Sequence, residues 1–245
     1  MIQLLSKQLL VALALGWSQS GALAQASMLQ QFTKDTQAFL ARYASQGSVD
    51  YALIKKQDQK LLALVEQIAK MPLAGSKSEE KKSFYLNAYN ILVIKGITDK
   101  YPIEGPLKIP GFFDQIRHEV GGEKLTLNEI ENERIRQVYK DARIHFALVC
   151  AARGCPKIRS EAYWPQRVEA QLEEQTKQAL NDPHFIKPEV ATKKVLVSEI
   201  FKWYEADFLA ENASILAYLN RYRTQKLPAT YQVDYYTYDW KLNSK

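Results

Sequence analysis

Two cysteines and one histidine lie close together in the segment RIHFALVCAARGCP, residues 143–156. A cysteine thiolate attacks carbonyl carbon atoms, and a nearby imidazole can take up the thiol proton. Cys150 ends an apolar run and Cys155 lies in a glycine-bearing turn, where exposed backbone N–H groups favour negative charge. The segment is therefore a candidate nucleophilic site, with a cysteine as nucleophile and His145 as base.

Other interpretations of these residues are open. Cys150 and Cys155 are the two cysteines of the chain, so an oxidising compartment would allow a disulfide between them. Closing so short a loop adds little stability, which favours a labile or redox-linked bond over a structural one. The pair lacks the Cys-x-x-Cys spacing of redox proteins and the four-ligand pattern of structural zinc, so no metal ligand is predicted. A core histidine bonded to a carboxylate or a carbonyl is the alternative for His145.

The spacing of His145 and Cys150 limits how they could meet. Residues 144–150 form an apolar run of strand length, which predicts a strand buried on both faces. An odd offset of five positions places two side chains of a regular strand on opposite faces, so His145 could contact Cys150 only if a bulge intervenes. It could contact Cys155 if the turn folds back. Candidate carboxylates that could orient the imidazole are those of Glu129 and Glu131, on the helix predicted just before this strand.

The elements that must position these residues are mostly helical. Apolar residues at helical spacing predict helices over residues 28–44, 50–69, 76–99, 126–139, 160–180 and 213–222. Short strands are predicted at 117–120 and 123–125, around a Gly-Gly turn, at 194–197 and in the aromatic stretch 231–240. We therefore expect an α+β fold: one mainly helical domain with a small mixed or antiparallel sheet.

The helix predicted for residues 76–99 contains two asparagines among residues that are apolar almost all round. Such a helix belongs in the core. Asn87 and Asn90 are therefore expected to hydrogen-bond neighbouring backbone or side-chain groups, because buried polar groups are normally satisfied. A functional role is the alternative for both.

The N-terminal 26 residues have the layout of a secretory signal peptide: Lys7, a short apolar core and a small-residue end. Cleavage is expected after Ala24 or Ala26, which leaves residues 27–245 as a single globular domain in the periplasm or outside the cell. No later segment reaches the roughly twenty apolar residues of a membrane span. The net charge of +6 is scattered rather than collected in a stripe, so no nucleic-acid partner is predicted.

Several blocks of the sequence resemble the domain of unknown function 547 family, which is widespread in exported bacterial proteins. The similarity runs from about residue 50 to residue 243, in the blocks FYLNAYNILVIKGI, GGEKLTLNEIE, DARIHFALVCAARGCPKIRSEAY, LEEQTKQALND, SEIFKWYEADF and YDWKLN. The family's HFAL-x-C block corresponds to residues 145–150 here, and its asparagine-rich helix corresponds to residues 87–90.

The resemblance also ranks the candidate residues. The family's Ile-Glu block places Glu131 in the site, and the next position, often histidine in the family, is Asn132 here. This departure leaves His145 as the better base. Plant relatives often lack a cysteine at the position of Cys155, so the resemblance favours Cys150 as nucleophile and disfavours an obligatory disulfide.

Together, the residues and the resemblance suggest a thiol-dependent hydrolase or acyl transferase of cysteine-peptidase or transglutaminase type, acting without a cofactor on an amide or peptide-like substrate. Cys150 would attack the carbonyl, His145 would act as base and then acid, and Glu131 would orient the imidazole. The oxyanion would be held by Asn87 or by backbone N–H groups near Arg153 and Gly154, and the substrate would be bound by Asn90, Arg153 and Cys155.

Two functions of other classes remain. One is a non-catalytic exported protein in which the same residues form a buried polar cluster and the tyrosine-rich stretch Tyr231–Trp240 lines a ligand or partner surface. The other is a thiol–disulfide redox role for Cys150 and Cys155.

Overall fold

Helices form about half of the computed structural model, which describes residues 2–245 and the side chains of residues 23–245. They are α1 (Ile2–Tyr43), α2 (Tyr51–Lys56), α3 (Gln59–Lys70), α4 (Ser78–Lys100), α5 (Leu127–Glu129), α6 (Gln137–Tyr139), α7 (Val168–Asn181), α8 (Ile200–Trp203), α9 (Glu205–Leu209) and α10 (Ile215–Tyr222). The predicted signal peptide, residues 1–26, lies almost wholly outside the residues whose side chains are described. Within the described residues, no helix is both long and apolar enough to cross a membrane.

Helix α4 is the centre of the larger apolar cluster. Its residues from Ser83 to Ile94 are all buried, and it packs against α1, α2 and α3. The helix starts where the Glu80 carboxylate accepts a hydrogen bond from the Lys77 backbone at 2.8 Å, and it ends before Pro102, which disfavours a helical conformation at the preceding residue. The predicted core helix over residues 76–99 is confirmed. The helix predicted for residues 50–69 is instead divided into α2 and α3, because Gln57 leaves the helical conformation.

The helix predicted for residues 126–139 is present but irregular. It begins with a reciprocal cap, in which the Thr126 hydroxyl accepts from the Glu129 N–H and the Glu129 carboxylate accepts from the Thr126 N–H. Between α5 and α6 the backbone adopts a π-helix over Ile130–Arg136. π-Helical turns are rare in proteins, and those that do occur are frequently found at functional sites.

The prediction of a strand over residues 144–150 is wrong. Residues Ala142–Phe146 form a 3₁₀-helix, which starts where the Asp141 carboxylate accepts from the Arg143 N–H at 3.1 Å. The following N–H group of Val149 bonds to the Asn90 side chain rather than to a neighbouring strand. An apolar run of this length has no periodicity that separates a buried strand from a buried helical turn.

Within the described residues, seven short strands complete the α+β fold: β1 (Ala44–Ser45), β2 (Ser48–Val49), β3 (His118–Val120), β4 (Glu123–Leu125), β5 (Ile186–Glu189), β6 (Lys194–Ser198) and β7 (Gln232–Tyr236). Two antiparallel pairs, β1–β2 and β3–β4, accompany a mixed sheet β5-β6-β7 in which β6 pairs antiparallel with β5 and parallel with β7. The predicted hairpin and the α+β class are confirmed. The sequence analysis did not predict β1, β2 or β5, and the helix predicted from residue 160 starts only at Val168.

Two apolar clusters meet at the cysteine-bearing loop. The larger cluster is built on α1–α4, and the smaller one is built on β5, β6 and α8–α10. Cys155 packs against both of them. The loop therefore lies at the seam between the helical part of the molecule and the small sheet.

Candidate functional site

A cleft of about 410 Å³ opens at this seam, and it collects four of the seven predicted site residues: Glu131, His145, Cys150 and Cys155. Six aromatic side chains also line it: Tyr89, Phe113, Trp203, Tyr204, Tyr238 and Trp240. Its remaining lining residues are Asp114, Asn128, Leu148 and Ile200. We refer to it as the aromatic cleft. Asn87, Asn90 and Arg153 lie outside its lining.

Three aromatic side chains form one wall of the aromatic cleft. The ring of Tyr238 lies 4.8 Å from that of Trp240 and 5.0 Å from that of Trp203, measured between centroids. The two indoles stack with their centroids 5.9 Å apart. Trp203 is 46% exposed, so its ring is accessible from solvent. The wall therefore offers flat apolar surface to a ligand.

The C-terminal segment that carries Tyr238 and Trp240 is bonded to the cysteine-bearing loop. The Arg153 N–H donates to the Lys241 carbonyl at 2.8 Å, and the Gly154 N–H donates to the Asp239 carbonyl at 2.9 Å. These are the N–H groups that the sequence suggested for an oxyanion, and they are instead used to hold the aromatic wall. Gly154 is required at this point, because a Cβ atom there would lie 3.0 Å from the Tyr238 ring.

The structure joins Cys150 and Cys155 in a disulfide, with Cα atoms 6.4 Å apart. The resemblance had disfavoured an obligatory bond. The Tyr238 hydroxyl lies 3.0 Å from each of the two sulfur atoms. In this form Cys150 has no free thiolate, so any nucleophilic role at Cys150 requires reduction of the bond first.

The backbone between the two cysteines is strained. Ala151, the residue after Cys150, has φ = 64°, in the left-handed region that residues other than glycine rarely adopt. Its carbonyl accepts from the Asn243 N–H at 3.0 Å, which helps to hold the conformation. Backbone strain of this kind is concentrated at functional sites, where the surrounding structure enforces it.

Glu131 lies on the π-helix and only 7% of it is exposed. Its carboxylate accepts a hydrogen bond from the Tyr204 hydroxyl at 2.7 Å. Burial, together with the negative charge of Glu131, raises the pKa of both Tyr204 and Tyr89, so both phenols stay protonated. The sequence placed Glu131 beside the imidazole, whereas the structure places it beside these tyrosines.

The carboxylate that contacts His145 belongs to Asp207. The His145 Nε2 atom lies 2.8 Å from Asp207 Oδ2, and the imidazole stacks on the Tyr204 ring with centroids 3.9 Å apart. Asp207 also accepts two hydrogen bonds from the Arg136 guanidinium. Burial raises the pKa of Asp207, but the hydrogen bonds from His145 and Arg136 outweigh that effect and hold the pKa below its usual range.

The two asparagines of α4 both fasten backbone segments. Asn87 donates to the Tyr163 carbonyl and accepts from the Tyr163 N–H, each at 2.8 Å. Asn90 bonds the Ala147 carbonyl and the Val149 N–H in the same manner, each at 2.9 Å. With both ends of each amide used, these side chains have the structural role expected of buried asparagines, and Asn87 is not directed at the aromatic cleft.

Three important residues of the site escaped the sequence analysis: Trp203, Tyr204 and Asp207. They lie on and between α8 and α9, more than 50 positions after His145. The block SEIFKWYEADF contains all three and contributed to the family resemblance, which was the one signal available for them. The contacts of Tyr204 and Asp207 with residues 131 and 145 depend on how α8 and α9 fold back across the loop.

The family resemblance is supported by a match of residues 73–179 to the model of the family described as "Protein of unknown function, DUF547". The match contains Glu131, His145 and both cysteines, whereas the wall formed by Trp203, Tyr238 and Trp240 lies beyond it. Comparison with curated proteins and with solved structures gave no match. Residues 73–179 are therefore similar to the DUF547 family, whose function is uncharacterised.

Proposed function

We propose that the aromatic cleft binds a small organic ligand whose ring or other flat apolar part packs against Trp203, Tyr238 and Trp240. One observation carries the proposal: six aromatic side chains and a buried carboxylate face a single open cleft of about 410 Å³. Ligand pockets typically have volumes of about 300–1,000 Å³, mostly apolar walls and a few polar groups that orient the ligand. This is the binding function that the sequence left as an alternative to catalysis.

The state of the cysteines favours binding over hydrolysis. Cysteine-dependent hydrolysis requires a free thiolate and donors for the oxyanion. Here the Cys150 sulfur is bonded to Cys155, and the N–H groups of Arg153 and Gly154 donate to the C-terminal segment. The protein in this form has the lining of a binding site without an available nucleophile.

Saturation-transfer NMR with a panel of soluble single-ring compounds tests the proposal. We expect several compounds to receive magnetisation from the wild-type protein and to lose it with Trp203→Ala, which removes an exposed part of the wall. Trp164→Ala is the control, because Trp164 is likewise partly accessible to solvent but lies outside the aromatic cleft. Equal transfer from both variants, or no transfer from the wild type, would reject the cleft as the binding site.

Thiol chemistry is a second candidate, favoured by the two sulfur atoms that line the same cleft as His145. A dithiol reductant would attack one sulfur, release the other as a thiolate, and leave as its own disulfide. Alkylation should then be measured against pH, with and without prior reduction, for the wild type and His145→Ala. A thiol that is alkylated at pH values well below the usual thiol pKa of about 8.5, and that loses this reactivity in His145→Ala, would support this candidate. Thiols that stay inert after reduction would remove it.

A further inference from the structure

The aromatic cleft is acidic, although the whole chain carries a formal charge of +6. Two carboxylates, those of Asp114 and Glu131, line the cleft. Among the residues that the structure describes, no lysine or arginine belongs to its lining. The electrostatic character of the cleft is thus opposite in sign to that of the chain as a whole.

The carboxylate of Glu131 is buried and lacks a positive partner. A buried charge is normally paired, because removing an ion from water carries a large desolvation cost. Within the described part of the chain, no Lys, Arg or His nitrogen lies within 4.0 Å of this carboxylate. Two basic side chains of the site, Arg136 and His145, both bond Asp207 instead. Glu131 is therefore a buried carboxylate that faces the cleft and has no ion pair of its own in the described part of the chain.

We infer that the ligand of the aromatic cleft is an organic cation, with an amino or quaternary ammonium group; this inference rests on the proposed binding function. Glu131 would supply the opposite charge. The rings of Trp203, Tyr238 and Trp240 would supply the aromatic faces that attract a cation within about 6 Å of a ring centroid. An anionic ligand would face the unpaired carboxylate and would be repelled.

A second cleft, of about 310 Å³, provides an internal contrast. It lies on the other side of Cys155 and is lined by Arg153, Lys157 and Lys187, with Asp182 and Asp239. Lys157 is paired with Asp182 at 2.7 Å. The remaining charged groups of the lining are the positive Arg153 and Lys187 and the negative Asp239. Its balance of charge is positive, so a cation should choose the aromatic cleft over this one.

Choline and 3,3-dimethylbutan-1-ol form the test pair, since they share size and shape and differ in the positive charge. Both are titrated into the folded protein at constant ionic strength, with tryptophan fluorescence as the readout. We expect choline to bind at least about tenfold more tightly than its neutral isostere. Glu131→Gln should lower the affinity for choline about tenfold and leave the affinity for the alcohol unchanged. Glu133→Gln, an exposed residue on the same π-helix, should change neither affinity.

The outcomes separate this inference from the proposed function. Equal affinity for the two compounds, or an unchanged choline affinity in Glu131→Gln, would overturn the inference of a cation while the cleft remained a binding site. Absence of choline binding would also overturn it, and the panel of single-ring compounds would then decide the proposed function independently. Circular dichroism of both variants confirms that a loss of binding is not a loss of fold.

Discussion

The hydroxyl of Tyr204 donates a hydrogen bond of 2.7 Å to the carboxylate of Glu131. The two residues are 73 positions apart, one on the π-helix and one between α8 and α9. Since Glu131 has no ion-pair partner within 4.0 Å in the described chain, this phenol is a principal source of stabilisation for the buried carboxylate. The contact also fixes the position of the ring on which His145 stacks.

Tyr204→Phe should therefore lower the free energy of unfolding by about 1–3 kcal/mol, because it leaves the Glu131 carboxylate buried with one donor fewer. In a Glu131→Gln background the same substitution should cost at least about 1 kcal/mol less, since a neutral amide tolerates the loss better. Urea denaturation of the four proteins of this double-mutant cycle measures the difference. Tyr139→Phe is the control, because that hydroxyl bonds an exposed carbonyl. Additive effects of the two substitutions would contradict a direct interaction.

Glu131→Gln alone should stabilise the ligand-free protein by about 0.5–2 kcal/mol. The amide keeps an acceptor for the Tyr204 hydroxyl and removes the desolvation cost of an unpaired charge. Sites that are retained for function commonly show this exchange of stability for activity. Thermal unfolding should give a higher Tm for Glu131→Gln than for the wild type, with Glu133→Gln unchanged. A lower Tm for Glu131→Gln would mean that the carboxylate is compensated by groups within the protein.

Asp207→Asn should destabilise the protein at neutral pH, by about 2 kcal/mol, through the weakened hydrogen bonds from His145 and Arg136. The pKa of Asp207 in the folded state lies below its unfolded value of about 3.9. Its contribution to stability is therefore complete above about pH 5 and is lost as the pH falls through 3.9 toward the depressed folded pKa.

Denaturation of the wild type and Asp207→Asn across the acid range checks this sign. The gap in free energy between the two proteins should stay constant from pH 7 to about pH 5 and shrink below it. Glu211→Gln, at an exposed position near Asp207, should follow the wild type throughout. A gap that widened on acidification would contradict the assignment.

Removal of the disulfide should have a modest effect on stability. The bond closes a loop of only six residues, for which the loop-entropy relation gives about 2 kcal/mol. The double variant Cys150→Ser, Cys155→Ser should therefore remain folded, with a lowered urea midpoint and an altered tryptophan emission from the adjacent wall. Reductant should lower the midpoint of the wild type and leave that of the double variant unchanged. Complete unfolding of the double variant would show that the bond is essential to the fold.

Local patterns predicted the helices and the hairpin better than they predicted the segment at the centre of the site. The apolar face of α4 and the cap at Thr126 are encoded within a few neighbouring residues, and both are confirmed. Apart from His145, the run from residue 144 to residue 150 is apolar, so its sequence carries no clear period, and the partners at Asp141 and Asn90 select a helical turn.

The composition of the site was predictable only where one short segment or the family blocks contained it. Cys150, Cys155 and His145 are close in sequence, and the Ile-Glu block pointed to Glu131. The pairing of His145 with Asp207, and that of Glu131 with Tyr204, joins residues 62 and 73 positions apart. Nothing local distinguishes Asp207 among 27 acidic residues, because its role arises from how α9 packs across the 3₁₀-helix.

A crystal structure of the protein soaked with benzyltrimethylammonium tests the central claim most directly. We predict density for the ligand in the aromatic cleft, with its ammonium group within about 6 Å of the centroids of Trp203 or Trp240 and facing the Glu131 carboxylate. Density for the ligand in the cleft beside Arg153, or an aromatic cleft that stays empty while the soaked compound is bound elsewhere, would contradict the assignment of this cleft as a binding site for organic cations.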